Sequence, residues 1–197
     1  EANCSPESKL NNLTNEGGYG YRFRYLKNIM GLWMIQSVKK EIGWDLGFGE
    51  ICEMASKCSI PSIVDCNDDR FLAPDNMTEE VQAACRESGQ QVPEGLAQVA
   101  SVIYNSLAQC YAKTIRQIEG ITGKKYDKIH IVGGGSNAEY LNRLTAQATS
   151  VPVYAGPTEA TAIGNIAAQM MTAGELEDLK AARACVFASF PIDHYEP

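Results

Sequence analysis

The stretch Lys128–Thr149 constrains the fold more than any other part of the sequence. Residues 129–132 read Ile-His-Ile-Val, which predicts a short buried strand, and three consecutive glycines then end it. Ser136 and Glu139 have the spacing of a capping box, in which each side chain satisfies a backbone N–H at a helix start. The sequence therefore predicts a strand, a triple-glycine turn and a capped helix.

The helix after the glycines has an apolar face formed by Leu141, Leu144 and Ala148. A glycine turn lets a ligand approach bare backbone, and the N-terminus of a helix favours negative charge. The alternative is a tight turn whose only role is to pack the helix on a sheet. The residues of this stretch by themselves leave both interpretations open.

Composition restricts the class of protein. The chain has 197 residues, enough for one sizeable domain, and its formal charge of −7 argues against a nucleic-acid surface. No apolar run approaches the roughly 18 residues that span a bilayer, and residues 1–12 are polar, which predicts a flexible lead and no signal peptide. The cysteines number seven, without a C-x-x-C pair, and favour a reduced cytoplasmic location.

The order of predicted elements indicates an α/β domain. A hairpin is expected around Gly17-Gly18, followed by a strand with the alternating aromatics Tyr19, Tyr21, Phe23 and Tyr25. Helices are expected over residues 29–42, 48–58, 76–88 and 93–121. After the glycine unit come a second short strand at residues 151–154 and a helix opening at Thr158. This order predicts helices layered on at least one face of a sheet.

Two other motifs admit alternatives. Asp68, Asp69 and Arg70 suit a structural turn network better than a metal site, because the arginine would oppose a cation. Gly133-x-Gly135-x-x-Ala138 matches the loose dinucleotide fingerprint. The fingerprint also requires an acidic residue at the end of the next strand, and none occurs there.

Several stretches together resemble the FGGY carbohydrate kinases, and in particular their rhamnulokinase-like members. They are Asn15–Gly18, Leu26–Trp33 with Gln36, Asn67–Phe71 with Pro74, Ile129–Asn142, and Ala155–Thr161 with Gly164-Asn165. The resemblance covers nearly the whole chain. The run Lys27–Trp33 is specific for the rhamnulokinase-like group, whereas the triple glycine is shared widely among sugar kinases and related ATPases.

The resemblance implies a ribonuclease-H-like domain of the actin- and hexokinase-type ATPase fold, with helices packed on a mixed sheet. Residues 1–197 would form a single C-terminal, nucleotide-side domain of a longer, two-domain kinase. The implied reaction transfers the γ-phosphoryl group of ATP, with Mg²⁺, to the 1-hydroxyl of L-rhamnulose. The other domain would hold most of the sugar. The nucleotide and the other domain would supply most of the contacts to magnesium.

The resemblance also implies which residues of this chain meet ATP or ADP. Gly133, Gly134 and Gly135 would bring backbone against the nucleotide, and the amides of Asn28 and Gln36 would lie on the nucleotide side. These two amides share a helix face if the helix begins at residue 28. No catalytic residue and no metal ligand is expected in this chain, because the general base of the family has no counterpart here.

The same residues leave three alternative functions open. The kinase could act on a related deoxyketose such as L-fuculose, or the domain could be a non-catalytic nucleotide- or partner-binding module of the same fold. A dinucleotide-binding oxidoreductase is the third. Neither nucleic acid nor a membrane is an expected partner. The first strand of such a domain has no counterpart in this chain, which predicts unpaired strand edges.

Overall fold

A 28-residue helix, α5 (Gly95–Thr122), is the element on which the other helices pack. The computed structural model describes every residue from Glu1 to Pro197. The other helices are α1 (Pro6–Leu10), α2 (Trp33–Ile42), α3 (Phe48–Ser56), α4 (Met77–Glu87), α6 (Glu139–Thr149), α7 (Ala160–Thr172) and α8 (Leu179–Ser189). The strands are β1 (Leu13–Gly17), β2 (Phe23–Lys27), β3 (Ile129–Ile131), β4 (Val153–Ala155) and β5 (Asp193–Tyr195).

Local signals explain where α5 begins and ends. Pro93 precedes it, and Gly123 ends it in the left-handed conformation with φ 68°. Glycine adopts this conformation without steric cost, which is why it commonly terminates helices. The predicted long helix over residues 93–121 is confirmed, and its apolar face is buried by α2, α3, α4 and α6.

The main core lies between these helices and excludes the sheet residues almost completely. Its largest fully buried side chains include Tyr104 on α5, Phe71 and Met34. Ile35 of α2 and Ile51 of α3 reach the same cluster. The helical layer is therefore a continuous apolar unit that fixes α2 and α3 relative to α5.

The sheet is mixed, as predicted. β3 and β4 are parallel, with Ile129 opposite Val153, and β4 and β5 are antiparallel. The β1–β2 hairpin forms a separate two-stranded sheet. β3 pairs only with β4, so its other edge is unpaired.

The hairpin differs from its prediction in one respect. β1 and β2 pair from Leu13↔Lys27 to Gly17↔Phe23, which confirms the turn at Gly17-Gly18. Tyr19 and Tyr21 do not lie in the strand, because they belong to a 3-10 turn closed by the N–H of Gly18 donating to the carbonyl of Arg22 at 2.7 Å. Only Phe23 and Tyr25 keep the predicted alternation.

Residues 1–12, expected to be a flexible lead, contain the short helix α1 instead. The side chain of Ser5 caps it by accepting the N–H of Ser8. The hydroxyls of Ser8 and Tyr25 are 2.6 Å apart, and the N–H of Asn3 donates to Asn15 Oδ1 at 2.9 Å. These contacts with the hairpin supply partners that a polar sequence pattern does not reveal.

The Asp68–Arg70 turn is a structural network, as predicted. The carboxylate of Asp68 accepts the N–H of Arg70 at 3.0 Å. The guanidinium of Arg70 reaches Glu87 at 2.7 Å and Asp68 at 3.6 Å. These interactions tie the loop before α4 to the last turn of α4.

Helix α7 has no buried residue. It packs mainly against α8. No helix in the structure combines the length and the apolar character needed to cross a bilayer.

Candidate functional site

A cavity of about 610 Å³ opens between the helical layer and the glycine turn. α2 contributes Ile35 and Gln36, and α3 contributes Phe48 at its start. Gly134 and Gly135 form the facing wall. A second, more polar cavity of about 630 Å³ adjoins the first, because Gly49 and Asn137 line both. The two together form a cleft large enough for a nucleotide-sized ligand.

The helical register of α2 decides which of its residues face the core and which face the cleft. Ile35 is 1% exposed and belongs to the core, whereas its neighbour Gln36 is exposed. The Gln36 side chain makes no hydrogen bond within the chain, so its donor and acceptor are both free for a ligand.

α2 begins later than the sequence predicted. Gly31 has φ 64°, a left-handed conformation that interrupts the helix, and α2 starts only at Trp33. Asn28 therefore lies in the preceding loop, is exposed, and is not among the residues that line the cleft. The condition for a shared helix face of Asn28 and Gln36 is not met, because the helix does not begin at residue 28.

The glycine turn has a defined shape. Gly133 has φ 78°, which favours glycine, and its N–H donates to the carbonyl of Pro157 at 3.1 Å. Residues Gly134–Asn137 then form a 3-10 turn. A side chain added at Gly134 would meet no atom within 4 Å, and one at Gly135 would touch Leu32 Cδ1 at 3.4 Å. The space in front of Gly134 is the cleft itself.

The predicted capping box of Ser136 and Glu139 is wrong. The 3-10 turn delays the helix, so α6 begins at Glu139 with Ala138 as its N-cap and no capping side chain. Ser136 is buried, and its hydroxyl donates to the carbonyl of Gly133 at 2.7 Å. Glu139 instead pairs with Arg143 at 2.6 Å, one turn along α6. Ser136 therefore stabilises the turn, not the helix.

The structure brings three of the five predicted site residues to the cleft. Gln36, Gly134 and Gly135 line it, whereas Gly133 and Asn28 are not among the lining residues. Their roles toward a ligand stay predictions.

Three further lining residues, Phe48, Tyr104 and Asn137, were not singled out by the sequence. Phe48 lies at the start of a predicted helix, and Asn137 follows the glycines after one residue, Ser136. Its closeness to the glycines in the sequence is the one signal that could have indicated Asn137 as a lining residue.

The cleft wall on the α2 side carries no charge. All ten residues that line the 610 Å³ cavity are uncharged, so nothing there repels an anion. Lys39 Nζ lies 5.7 Å from the centroid of the Phe48 ring, which places a positive charge near the wall. Burial, and then the contact with Cys52, raises the pKa of Tyr104, so its hydroxyl stays neutral.

The adjoining polar cavity has paired charges. The side chains of Glu53 and Glu139 line it together with Arg143. The hydrogen bond from Lys57, at 2.5 Å, lowers the pKa of Glu53, which stays ionised. No group of three or more His, Cys, Asp or Glu residues in the chain is arranged to hold a metal ion.

Comparisons with known proteins agree on one family. Residues 1–173 match the model of the FGGY family of carbohydrate kinases, C-terminal domain. A rhamnulokinase of Halalkalibacterium halodurans is 47% identical over 192 residues, which cover 98% of this chain and 41% of that protein. A rhamnulokinase of Bacillus subtilis is 44% identical over 188 residues, covering 95% of this chain and 39% of that protein.

A rhamnulokinase of Klebsiella pneumoniae is also 44% identical, over 186 residues that cover 94% of this chain and 38% of that protein. The chain thus spans about two fifths of the length of the curated relatives it matches. The family match covers most of the chain, from residue 1 to residue 173. This chain belongs to the FGGY family of carbohydrate kinases, as a C-terminal domain of the actin- and hexokinase-type ATPase fold.

Proposed function

We propose that this chain is the nucleotide-binding side of a two-domain sugar kinase that transfers the γ-phosphoryl group of ATP to L-rhamnulose. The observation that carries the proposal is the cleft between α2, α3 and the glycine turn. Gln36, Gly134 and Gly135 line it, although they are about a hundred residues apart in sequence. The family membership makes ATP the nucleotide to expect there.

The residues of the cleft fit a nucleotide. Leu32 and Phe48 supply an apolar wall suited to a planar base, backed by the buried Ile35. The open space at Gly134 leaves the backbone of the turn accessible, and any side chain there would occupy that space. The uncharged wall does not repel the negative charge of phosphates, and the nearby Lys39 favours it.

Within this proposal the chain binds and orients the nucleotide, and it excludes water from one side of it. Phosphoryl transfer depends mainly on positioning and on stabilising charge, so a rigid nucleotide site is a substantial part of catalysis. Mg²⁺ neutralises phosphate charge when it is bound with ATP. The chain has no carboxylate cluster for it, so the phosphates and residues outside this chain would hold the ion.

The choice of sugar is supported by the names of the relatives. Each of the three proteins compared above is named a rhamnulokinase, and each is at least 44% identical to this chain. Their greater length leaves room for a second domain that would contribute the sugar site and the general base. The longer polypeptide would then produce rhamnulose 1-phosphate.

The nucleotide part of the proposal is tested by isothermal titration of the 197-residue chain with ATP and ADP in the presence of Mg²⁺. We expect wild-type binding and its loss in Gly134→Asp, because the new carboxylate fills the cleft and repels phosphate. Gly120→Asp is the matched control, since Gly120 is an exposed residue of α5 with nothing within 4 Å of an added Cβ. Equal binding by the two variants would refute the site.

The sugar part requires the longer polypeptide. We expect ADP release with L-rhamnulose to exceed release with L-fuculose at equal concentration. A preference for L-fuculose would reject rhamnulose as substrate and leave the nucleotide site untouched. Absence of activity with either sugar, in a protein that binds ATP, would instead favour a non-catalytic member of the family.

A further inference from the structure

Asn137 is the residue at which the cavities around the glycine turn meet. It lines the 610 Å³ cavity, the adjoining 630 Å³ cavity and a third of about 260 Å³ that also contacts Thr158. The residue is exposed and closes the 3-10 turn that begins at Gly134. A ligand that extends across the cleft must therefore pass its carboxamide.

The carboxamide of Asn137 is held in one orientation by Thr158. Thr158 Oγ1 donates to Asn137 Oδ1 at 3.0 Å. The hydroxyl of Ser136 is 3.4 Å from Thr158 Oγ1, but its own proton goes to the carbonyl of Gly133 at 2.7 Å. A hydroxyl has a single proton, so Thr158 commits its proton to Asn137.

This arrangement leaves Asn137 Nδ2 as a free donor. With Oδ1 facing Thr158, the amide nitrogen points away from that hydroxyl, and it makes no hydrogen bond within the chain. A side chain with one end fixed loses less conformational entropy when its other end binds a ligand. The donor is therefore both available and preorganised.

The loop that holds Asn137 also holds the other end of the glycine turn. The carbonyl of Pro157 accepts the N–H of Gly133 at 3.1 Å, and the next residue, Thr158, contacts Asn137. Two consecutive residues of the β4–α7 loop thus brace the first and last positions of the turn. Thr158 affects the shape of the nucleotide wall through Asn137, without lying on that wall itself.

We propose that Asn137 donates a hydrogen bond from Nδ2 to an oxygen acceptor of the bound nucleotide, and that Thr158 is the residue that positions it. The proposal rests on the proposed nucleotide binding. It assigns a ligand contact to a residue outside the three glycines and the two amides that the sequence had indicated.

The test is titration of MgADP into the folded wild-type chain and into variants at the two positions. We expect Asn137→Ala to weaken binding about tenfold, the effect of losing one hydrogen bond to a charged or strongly polar acceptor. Asn137→Asp keeps the acceptor for Thr158 and removes the donor, so it should bind at least as weakly and should fold normally. Thr158→Val should weaken binding by about threefold, because the carboxamide becomes free to rotate.

A rescue variant and a double variant distinguish a positioning role of Thr158 from a general structural effect of its replacement. Thr158→Ser keeps the hydroxyl and should bind like wild type. The double variant Asn137→Ala with Thr158→Val should bind no more weakly than Asn137→Ala, since Thr158 acts through that side chain. Thr172→Val is the matched control, because the Thr172 hydroxyl is exposed and bonds only to the carbonyl of Ala168 in α7.

The outcomes distinguish the two proposals. Normal binding by Asn137→Ala and Asn137→Asp, with binding abolished in Gly134→Asp, would reject the contact and keep the nucleotide site. Additive losses in the double variant would reject the positioning role of Thr158. No binding by the folded wild-type chain would overturn the proposed nucleotide site, and the Asn137 contact with it.

Discussion

Glu41, in the last turn of α2, supplies the acceptors for the first turn of α4. Its carboxylate accepts the N–H of Met77 at 2.7 Å, and the N–H and the hydroxyl of Thr78 at 2.9 and 2.6 Å. The side chain of Asn76 accepts the N–H of Glu79, and its carbonyl accepts that of Glu80. The N–H groups of Met77, Thr78 and Glu79, which have no partner within the helix, are therefore satisfied by side chains, and Glu80 makes the first bond of the helix itself.

Replacing Glu41 with alanine removes the acceptor of three donors at once. Met77 is 0% exposed, so its N–H would lose its partner without access to water, at a cost of about 1–3 kcal/mol. Thr78 is 8% exposed; loss of its N–H partner resembles loss of a helix cap, which costs about 1 kcal/mol. The carboxylate also favours the helix N-terminus by about 0.5 kcal/mol. We expect a total loss of about 3 kcal/mol in the free energy of unfolding for Glu41→Ala.

Urea denaturation followed by circular dichroism measures this loss. The midpoint should fall with an unchanged denaturant slope, since the folded structure keeps its buried area. Glu79→Ala is the control for charge, because Glu79 is an exposed residue of the same helix turn whose side chain makes no hydrogen bond. A loss below about 1 kcal/mol, or one equal to that of Glu79→Ala, would refute the assignment of Glu41 as the cap of α4.

Two further predictions concern ionisable groups. Burial, with a smaller effect of the neighbouring Cys110, raises the pKa of the Cys66 thiol to about 12, so iodoacetamide should modify the exposed Cys185 in the native chain and leave Cys66 intact. Equal rates in peptide mass spectra would contradict the burial of Cys66. The hydrogen bond from Lys125 lowers the pKa of Glu119, so the stability that Glu119 contributes is present above the ordinary carboxyl pKa and lost as pH falls through the lowered one. Glu119→Gln should therefore destabilise the chain more near neutral pH than near ~pH 3, and a pH-independent effect would contradict the ion pair.

The sequence predicted elements best where their limits depend on neighbouring residues. Pro93 precedes α5 and Gly123 ends it, and Asn76 caps α4 where the sequence offered Asn76 or Thr78. The resemblance to a family placed Gln36, Gly134 and Gly135 on the nucleotide side, and the structure brings all three to one cleft.

The errors occurred where two local signals compete. Ser136 and Glu139 have capping-box spacing, but the glycines continue into a 3-10 turn that places Ser136 before the helix. Residues 29–42 have helical periodicity, but Gly31 adopts a left-handed conformation that postpones α2 to Trp33. Periodicity reports which residues are apolar on one face, and it does not report where the backbone first becomes helical.

The sequence by itself determined the α/β class, the strand followed by the glycine turn, and the long helix α5, because each depends on residues close together in the chain. Only the tertiary structure decided which residues share the cleft. Gln36, Phe48 and Asn137 meet because α2 and α3 pack on α5, and because α6, which follows Asn137, packs on α3 and α5. Such contacts between distant parts of the chain depend on side-chain packing in the common core, which no local pattern of residues encodes.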